Sequence, residues 1–483
     1  MAFDYDVIIL GSGPAGFSCA MQSSKFDKRV LLVEANPDHL GGTWINTGTV
    51  PSKSLREATK LIMNFHRQFG DDRGRKPFER FRMEDLLRYN REILESKNQK
   101  VKDDIIKNEV DTVRGWGKLV DGHTVEVVTQ FDQKTTYTAK RILISTGSSP
   151  RKPERFEIDH TNVLDYESIL KLTHIPRRLA IVGSGIIALE YATIFASLGT
   201  RVVILSEEEE ILPFLDEEIH AELIKIVKKK NIGLHRAVQV ESVEENKLRT
   251  CIDVAFRNQS GDTRLQVIET EHVLYACGNR PNTEGIGLEN ADVKRDERGY
   301  IDVTDRYQTS AKNIYAAGDV IGHPSQASVS FVQGRLAACT MFDMPSDDQS
   351  STIPYSIYSI PEIAGIGLTE KEAQEQGIEA TVGRAYYKNI TQADLNHLED
   401  GVLKLVFRTD NLKLLGIHII GDHAADLIHL GQSVMMLKGD IQYFIKHVLS
   451  YPSFGEAYRI AAFNGVNRVY KAGVKYKKIL NRS

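Results

Sequence analysis

The stretch Asp6–Glu34, DVIILGSGPAGFSCAMQSSKFDKRVLLVE, decides how the rest of the chain is read. Its opening, Asp6–Leu10, reads as a parallel strand buried on both faces, because the apolar residues run on without alternation. Gly11-Ser12-Gly13-Pro14-Ala15-Gly16 then opens a helix whose small residues, Ala15, Ser18 and Ala20, allow close packing on a sheet. Val30–Val33 is a second strand, and it ends on Glu34 roughly 20 residues after the glycines. Strand, GxGxxG, helix, strand and terminal acid together make a dinucleotide-binding fingerprint. The glycines let the backbone approach a pyrophosphate, the helix N-terminus offers it free N–H groups, and an acid at the strand end accepts from a ribose hydroxyl. Gly11, Gly13, Gly16 and Glu34 are the first candidate binding residues.

The fingerprint occurs a second time. Leu179–Val182 reads as a strand, Gly183-Ser184-Gly185-Ile186-Ile187-Ala188 follows as GxGxxA, and Arg201–Leu205 is the next strand. Two such units in one chain suggest two nucleotides held facing each other. Gly183, Gly185 and Ala188 are the candidates here, with Ser206 and Glu207 at the strand end and Gly278 at a later turn. Between the units, Leu86, Leu87, Ile93 and Leu94 at helical spacing mark a scaffold helix over roughly 83–108. Thr124–Val128 and Arg141–Gly147 (RILISTG) read as strands, the latter closing on a glycine turn. From about residue 351 the pattern changes to separated strands and helices, with strands at Thr381–Tyr387, Val402–Arg408 and Leu415–Ile420.

A chain of 483 residues has room for two to four domains. A net charge of −4 describes an ordinary soluble protein, and no basic bias points to nucleic acid. The four cysteines, Cys19, Cys251, Cys277 and Cys339, are scattered without CxxC or metal-ligand spacing, so no metal site is expected. Scattered, buried thiols suit a reducing cytoplasm. No 18-residue apolar run is present to span a membrane, and the N-terminus leads straight into a strand without a signal peptide. The basic tail (Arg468, Lys471, Lys475, Lys477, Lys478, Arg482) reads as a solvated, fraying end, with contact to an anionic lipid surface as the alternative.

Gly41–Leu55, GGTWINTGTVPSKSL, connects these units to a reaction. Taken with both fingerprints, with LYACGNRPN (Leu274–Asn282) and with IYAAGD (Ile314–Asp319), it resembles the active-site helix of the flavin-dependent pyridine nucleotide-disulfide oxidoreductases. The resemblance covers essentially the whole chain. It implies an α/β fold of two Rossmann-like dinucleotide-binding domains plus an α+β interface (dimerisation) domain. Residues 1–149 and 279–350 would form the FAD-binding domain, 150–278 the NAD(P)-binding domain and 351–483 the interface domain. FAD would be held by Gly42, Thr43, Lys53, Gly147 and Asp319 beside the first glycines and Glu34, and the nicotinamide nucleotide by the second unit. Lys53 and Glu190 would form an ion pair at flavin N5, where hydride arrives. A homodimer is implied too, in which Tyr451-Pro452-Ser453-Phe454-Gly455-Glu456 completes the partner's active site through Tyr451 and Glu456.

The chain departs from the family where disulfide chemistry is done. Trp44 and Thr49 stand in the two cysteine positions, and Tyr451 stands where disulfide reductases carry a proton-shuttling histidine. GDVIGHPSQAS (Gly318–Ser328) and YPSFGEAYRIAAFNGVNR (Tyr451–Arg468) are most similar to the soluble transhydrogenase branch, which passes hydride between NADH and NADP through FAD and needs no disulfide. A run of four glutamates, Glu207–Glu210, opposes a 2′-phosphate and so favours NAD(H) over NADP(H). Ser206 itself, at the usual acid position, could serve either nucleotide. The implied activity is therefore transfer of hydride from a reduced nicotinamide to FAD and on to a second acceptor. An NADH-preferring diaphorase, quinone reductase or NADH oxidase is the enzymatic alternative, and a flavoprotein kept for binding or redox sensing is the non-enzymatic one.

Overall fold

The computed structural model describes residues 3–36, 40–69, 81–246, 251–258, 264–346 and 353–471. Lys475, Lys477, Lys478 and Arg482 of the basic tail lie outside the described residues.

The first fingerprint folds as β1 (Tyr5–Leu10), α1 (Pro14–Ser24) and β2 (Val30–Glu34), with β1 and β2 parallel and in register from Val7↔Val30 to Leu10↔Val33. Two helices leave the sheet, the single turn α2 (Thr43–Asn46) and the long α3 (Thr49–Phe69), followed by α4 (Met83–Lys107). Strands β3 (Asp111–Arg114), β4 (Trp116–Leu119), β5 (Thr124–Val128) and β6 (Lys134–Ile144) complete the order β3-β2-β1-β6-β5-β4. The RILISTG run forms only the back half of β6. That strand ends at Ile144, and just beyond it the Ser145 N–H and hydroxyl both donate to Leu10 O.

After the short β7 (Ser148–Pro150) the chain builds a second, all-parallel sheet. Its strands are β8 (Val163–Leu164), β9 (Arg178–Val182), β10 (Arg201–Leu205), β11 (Gly233–His235) and, after a three-stranded antiparallel insertion, β15 (His272–Tyr275). The insertion is β12 (Val238–Asn246), β13 (Cys251–Asn258) and β14 (Gln266–Thr270). Helices α5 (Ile186–Ser197) and α6 (Glu217–Lys229) cover this sheet. The return strand β16 (Asn279–Pro281) pairs with β7, and β17 (Ile314–Ala316) slots parallel onto β6, so the chain re-enters its first sheet after the excursion. Helix α7 (Ala327–Met341) then lies on α1 so closely that a Cβ on Gly334 would sit 2.0 Å from the Ala15 carbonyl oxygen.

The remaining residues form an antiparallel sheet of β18 (Tyr355–Ile357), β19 (Ile363–Gly367), β20 (Ala380–Tyr386), β21 (Val402–Arg408) and β22 (Leu414–Ile420), ordered β18-β19-β22-β21-β20. Leu403, Leu405, Phe407, Ile417 and Ile419 point to one face. There they meet α9 (Thr391–Leu395), α10 (Ala424–Met436), α11 (Gln442–Lys446) and α12 (Glu456–Lys471). On the other face, α8 (Glu370–Glu375) covers Val382 and Val406. Among the described residues no helix is long and apolar enough to cross a membrane.

A buried ion cluster fastens this last sheet to the second nucleotide unit. Lys404 of β21 is 2% exposed and reaches Asp216 at 3.0 Å, Glu218 at 3.0 Å and Glu370 at 2.8 Å. Asp216 also caps α6 by accepting from the Glu218 N–H. Burial alone would raise the Glu218 carboxyl, but hydrogen bonds from Arg384 and Lys404 hold it well below the usual carboxylate range, at about 2. A depressed carboxyl stabilises the fold above its ordinary value of 4.5 and stops doing so as pH falls toward 2. Lys404→Met leaves Asp216 charged and buried without its cation, so it should lower stability by about 3–5 kcal/mol in urea unfolding. A variant as stable as wild type would show the cluster to be dispensable.

Candidate active site

A cavity of about 960 Å³ opens where the first sheet, α5 and the C-terminal domain meet. Gly11, Gly13, Glu34, Gly42, Thr43 and Lys53 line it from the N-terminal segment, with Gly147, Asp319 and Glu190 from distant parts of the chain.

The glycines of the two fingerprints fall into two physical kinds. Gly11 has φ +98° and a Cβ there would lie 2.4 Å from Ser145 O; a Cβ on Gly16 would lie 1.9 Å from Gly11 O. Gly183 repeats the first case, with φ +120° and Ala276 O at 2.5 Å. The fold itself requires those three. Gly13 and Gly185 are different: φ is −60° and −79°, and a Cβ on either would meet nothing within 4 Å. Each stands at the N-cap of a helix, α1 or α5, that has no side-chain cap and no acid in its first turn. The backbone donors there are left for an anion, and helix dipoles favour one at that position.

Glu34 is set before any ligand arrives. Its Oε2 accepts from the Ser12 N–H at 3.0 Å and from the Ser12 hydroxyl, and its Oε1 accepts from the Asn36 N–H at 2.9 Å. The Ser12 oxygen in turn accepts from Gly41 N–H at 2.9 Å, which draws the start of the GGTW segment onto the glycine loop. The approach is tight, since a Cβ on Gly42 would sit 2.8 Å from Gly13 Cα. At another part of the wall, Asp319 accepts from the Ser148 hydroxyl at 3.0 Å; burial raises its carboxyl against that hydrogen bond.

Lys53 on α3 and Glu190 on α5 meet at 2.7 Å in the cavity wall, with side chains 26% and 6% exposed. The pair joins the two nucleotide units, because each partner comes from one of them. Ile186 and Ile187, at the start of α5, add an apolar surface beside it. Ala188, in the first turn of this helix, is fully buried. Gly183, Gly185, Ser206, Glu207 and Gly278 lie instead at the C-terminal edge of the second parallel sheet, the usual ligand edge of such sheets. Ser206 is fully buried there, and its hydroxyl both donates to Glu208 O (2.9 Å) and accepts from Glu208 N–H (3.1 Å). It shapes the strand-end turn rather than facing the cleft. Glu207 is the acid felt across that cleft: its charge helps raise the Tyr275 phenol and the Cys277 thiol, after burial, which is the larger cause for both. With that thiol pushed up to about 11, Cys277 is a poor nucleophile.

Trp44 and Thr49 both line the cavity. Trp44 packs edge-on against Phe331 with ring centroids 5.2 Å apart. Tyr451 is 65% exposed, its hydroxyl bonded to Thr391, and Glu456 has a buried Oε2 without a hydrogen-bond partner. Neither reaches the cavity of its own chain. Sequence reasoning missed the residues that the C-terminal domain lends to the wall, Ser356, Tyr358 and His429 among them, and the second tryptophan, Trp116. Each reaches the wall only through tertiary packing, and none carries a local motif.

Residues 5–334 match the family model described as pyridine nucleotide-disulphide oxidoreductase, and residues 353–462 match the dimerisation domain of the same family. The soluble pyridine nucleotide transhydrogenase of Marinomonas sp. (strain MWYL1) is 37% identical over 474 residues, covering 96% of this chain and 99% of that protein. The protein of the same name from Mycobacterium bovis (strain BCG / Pasteur 1173P2) is 37% identical over 469 residues, 96% of this chain and 98% of its own. Among solved structures, LpdA from Mycobacterium tuberculosis superposes with a TM-score of 0.86 at 22% identity, over 95% of this chain and 98% of its own. The HOCl-induced flavoprotein disulfide reductase RclA from Escherichia coli gives 0.84 at 24% identity, over 95% and 99%; these two likenesses speak to the fold.

The glycine distinction yields a test. Gly13→Ala and Gly185→Ala should fold with wild-type thermal stability, since neither methyl meets protein. Each methyl should instead crowd a bound dinucleotide, weakening retention of the flavin (Gly13) or binding of the nicotinamide nucleotide (Gly185) about tenfold, read by flavin absorbance and by titration. Unchanged binding in both would mean that the ligands do not approach these glycines.

Proposed function

This chain belongs to the pyridine nucleotide-disulphide oxidoreductase family, and on that premise we propose that it is an FAD-dependent enzyme of the soluble transhydrogenase type. It takes hydride from a reduced nicotinamide nucleotide and gives it to a second one, without a redox disulfide. The observation that carries this reading is the Lys53–Glu190 pair, which stands in the wall shared by both dinucleotide units while the same wall holds Trp44 and Thr49 in place of two thiols. The near full-length likeness to proteins named soluble pyridine nucleotide transhydrogenase favours this over a diaphorase, an oxidase or a binding flavoprotein.

The residues present fit FAD. The cavity volume, the open space at Gly13, the uncapped α1 N-terminus and the pre-set Glu34 carboxylate suit a pyrophosphate and ribose hydroxyls. When bound, FAD supplies a ring that accepts a hydride and releases it again, chemistry that no side chain offers. Lys53 places an ammonium at the cavity wall and Glu190 fixes it there, so a cation faces any negative charge that develops in the cavity. Gly42 and Thr43 bring the backbone of α2 up to the glycine loop, and Asp319, with Gly147 near it, offers a buried acceptor for hydroxyls. Ile186 and Ile187 exclude water beside the ion pair. Gly183, Gly185, Ala188 and Gly278 form the second cradle, and Ser206 presents Glu207 at its ribose end.

An acid at that end accepts from a 2′-hydroxyl and repels a 2′-phosphate. NADH should therefore reduce the flavin with about tenfold higher kcat/KM than NADPH, and Glu207→Arg should narrow the gap. The decisive experiment is anaerobic reduction by each nucleotide followed by the thio-analogues of NAD and NADP as acceptors. Glutathione disulfide and lipoamide should not be turned over, and alkylation should leave activity intact. Disulfide turnover abolished by alkylation would overturn the assignment.

We also assign a homodimer, supported by the matched dimerisation domain, in which Tyr451 and Glu456 complete the partner's cavity. The exposed tyrosine and the unpaired buried Glu456 Oε2 support that arrangement. Sedimentation should give a dimer, and a fully active monomer would remove both residues from the site. The free thiols Cys19, Cys277 and Cys339 and the lack of a spanning helix among the described residues accord with a cytoplasmic enzyme.

A further inference from the structure

Tyr358 lies one residue past β18, in a segment that three separate groups hold in place. Its backbone N–H donates to Glu190 Oε1 at 2.8 Å, the next carbonyl, Ser359 O, accepts from Arg56 Nε at 3.2 Å, and Ile360 N–H donates to the Thr193 hydroxyl at 3.0 Å. Arg56 is 2% exposed and is itself anchored on Glu362 at 2.7 Å. The Tyr358 ring therefore sits on a backbone that has little freedom to move.

That ring lies against the active-site cation. Lys53 Nζ is 5.0 Å from the ring centroid, and the Arg56 guanidinium, one turn along α3, is 5.9 Å from it. An aromatic face attracts a cation at this distance, and the attraction grows when water is partly excluded. Lys53 has a long flexible stem whose ammonium, held by Glu190 at 2.7 Å and by the Ser52 hydroxyl at 3.5 Å, would otherwise be open to an arc about the carboxylate. The ring closes one side of that arc. Tyr358 thus acts on both members of the pair, orienting Glu190 through its N–H and confining Lys53 through its ring.

We propose that Tyr358 is the positioning residue of the Lys53–Glu190 pair, its ring face holding the Lys53 ammonium toward the cavity where the nicotinamide and flavin react. The proposal rests on the reading of Lys53 as the cation of the flavin site. Because the N–H belongs to the backbone, side-chain substitution removes the ring contact and leaves the Glu190 bond in place.

The test uses the FAD-loaded enzyme and reads the flavin midpoint potential together with kcat/KM for NADH. Tyr358→Phe keeps the ring face and should match wild type in both. Tyr358→Leu and Tyr358→Met, two apolar replacements in case one folds poorly, should lower the potential in the same direction as Lys53→Met but by less. They should also cut kcat/KM about three- to tenfold. A wild-type potential in the Leu and Met variants, alongside a shifted Lys53→Met, overturns the role of Tyr358 and leaves Lys53 in the site. An unshifted Lys53→Met overturns both. A Tyr358→Phe shift as large as that of Tyr358→Leu would assign the effect to the hydroxyl and refute the ring contact.

Discussion

The Glu190 carboxylate is the constraint on which the site depends. One oxygen holds Lys53 at 2.7 Å and the other accepts from the Tyr358 backbone at 2.8 Å. Three parts of the chain separated by more than a hundred residues are thereby joined at one buried group: α3 of the first unit, α5 of the second, and the loop after β18. Both oxygens are engaged, which is what lets an acid only 6% exposed persist there. Thr193, one turn along α5, repeats the link through Ile360, so the attachment is a stretch of helix rather than a single contact.

Around that point the structure separates what the fold needs from what a ligand needs. Gly11, Gly16 and Gly183 are forced by backbone atoms a Cβ would strike, whereas Gly13 and Gly185 face open space with ordinary φ. Both α1 and α5 begin without side-chain caps, an arrangement that costs helix stability unless an anion takes the free donors. The two units thus carry the same kind of helix start, without a side-chain cap and without an acid in the first turn. The buried Lys404–Asp216 pair, with the more exposed Glu218 and Glu370 beside it, then fixes the second unit against the C-terminal sheet.

At the cavity wall Trp44 contributes an indole braced against Phe331 and Thr49 a hydroxyl, and neither is a nucleophile comparable to a thiolate. Burial, with the Glu207 charge adding to it, pushes the Cys277 thiol up against the opposing hydrogen bond of Tyr275. Among the described residues no cysteine lines the cavity, and the Lys53–Glu190 pair stands in its wall.

Much of this was legible in the sequence because the signals are local. A strand followed by glycines at fixed spacing dictates its own turn, so both fingerprints with Glu34, and the change to separated strands and helices after about residue 351, could be read without coordinates, whereas Lys53 was singled out by the family resemblance. The RILISTG run was read as a strand closing on a glycine turn, and tertiary pairing made its Arg141–Ile144 part the end of a longer strand, the eleven-residue β6. Ser206 looked like a ligand contact by position, yet its hydroxyl is consumed by the Glu208 backbone, a short-range bond that spacing does not reveal. Tyr358, Arg56 with Glu362, and Lys404 with Asp216 had no signature at all. Their partners lie up to hundreds of residues away, and a charged or aromatic residue gains its meaning only when folding removes water and sets another group against it. The sequence by itself determined the two glycine turns that open α1 and α5; the tertiary structure decided which side chains hold the ion pair between them, because its partners meet only when α3, α5 and the loop after β18 are folded together.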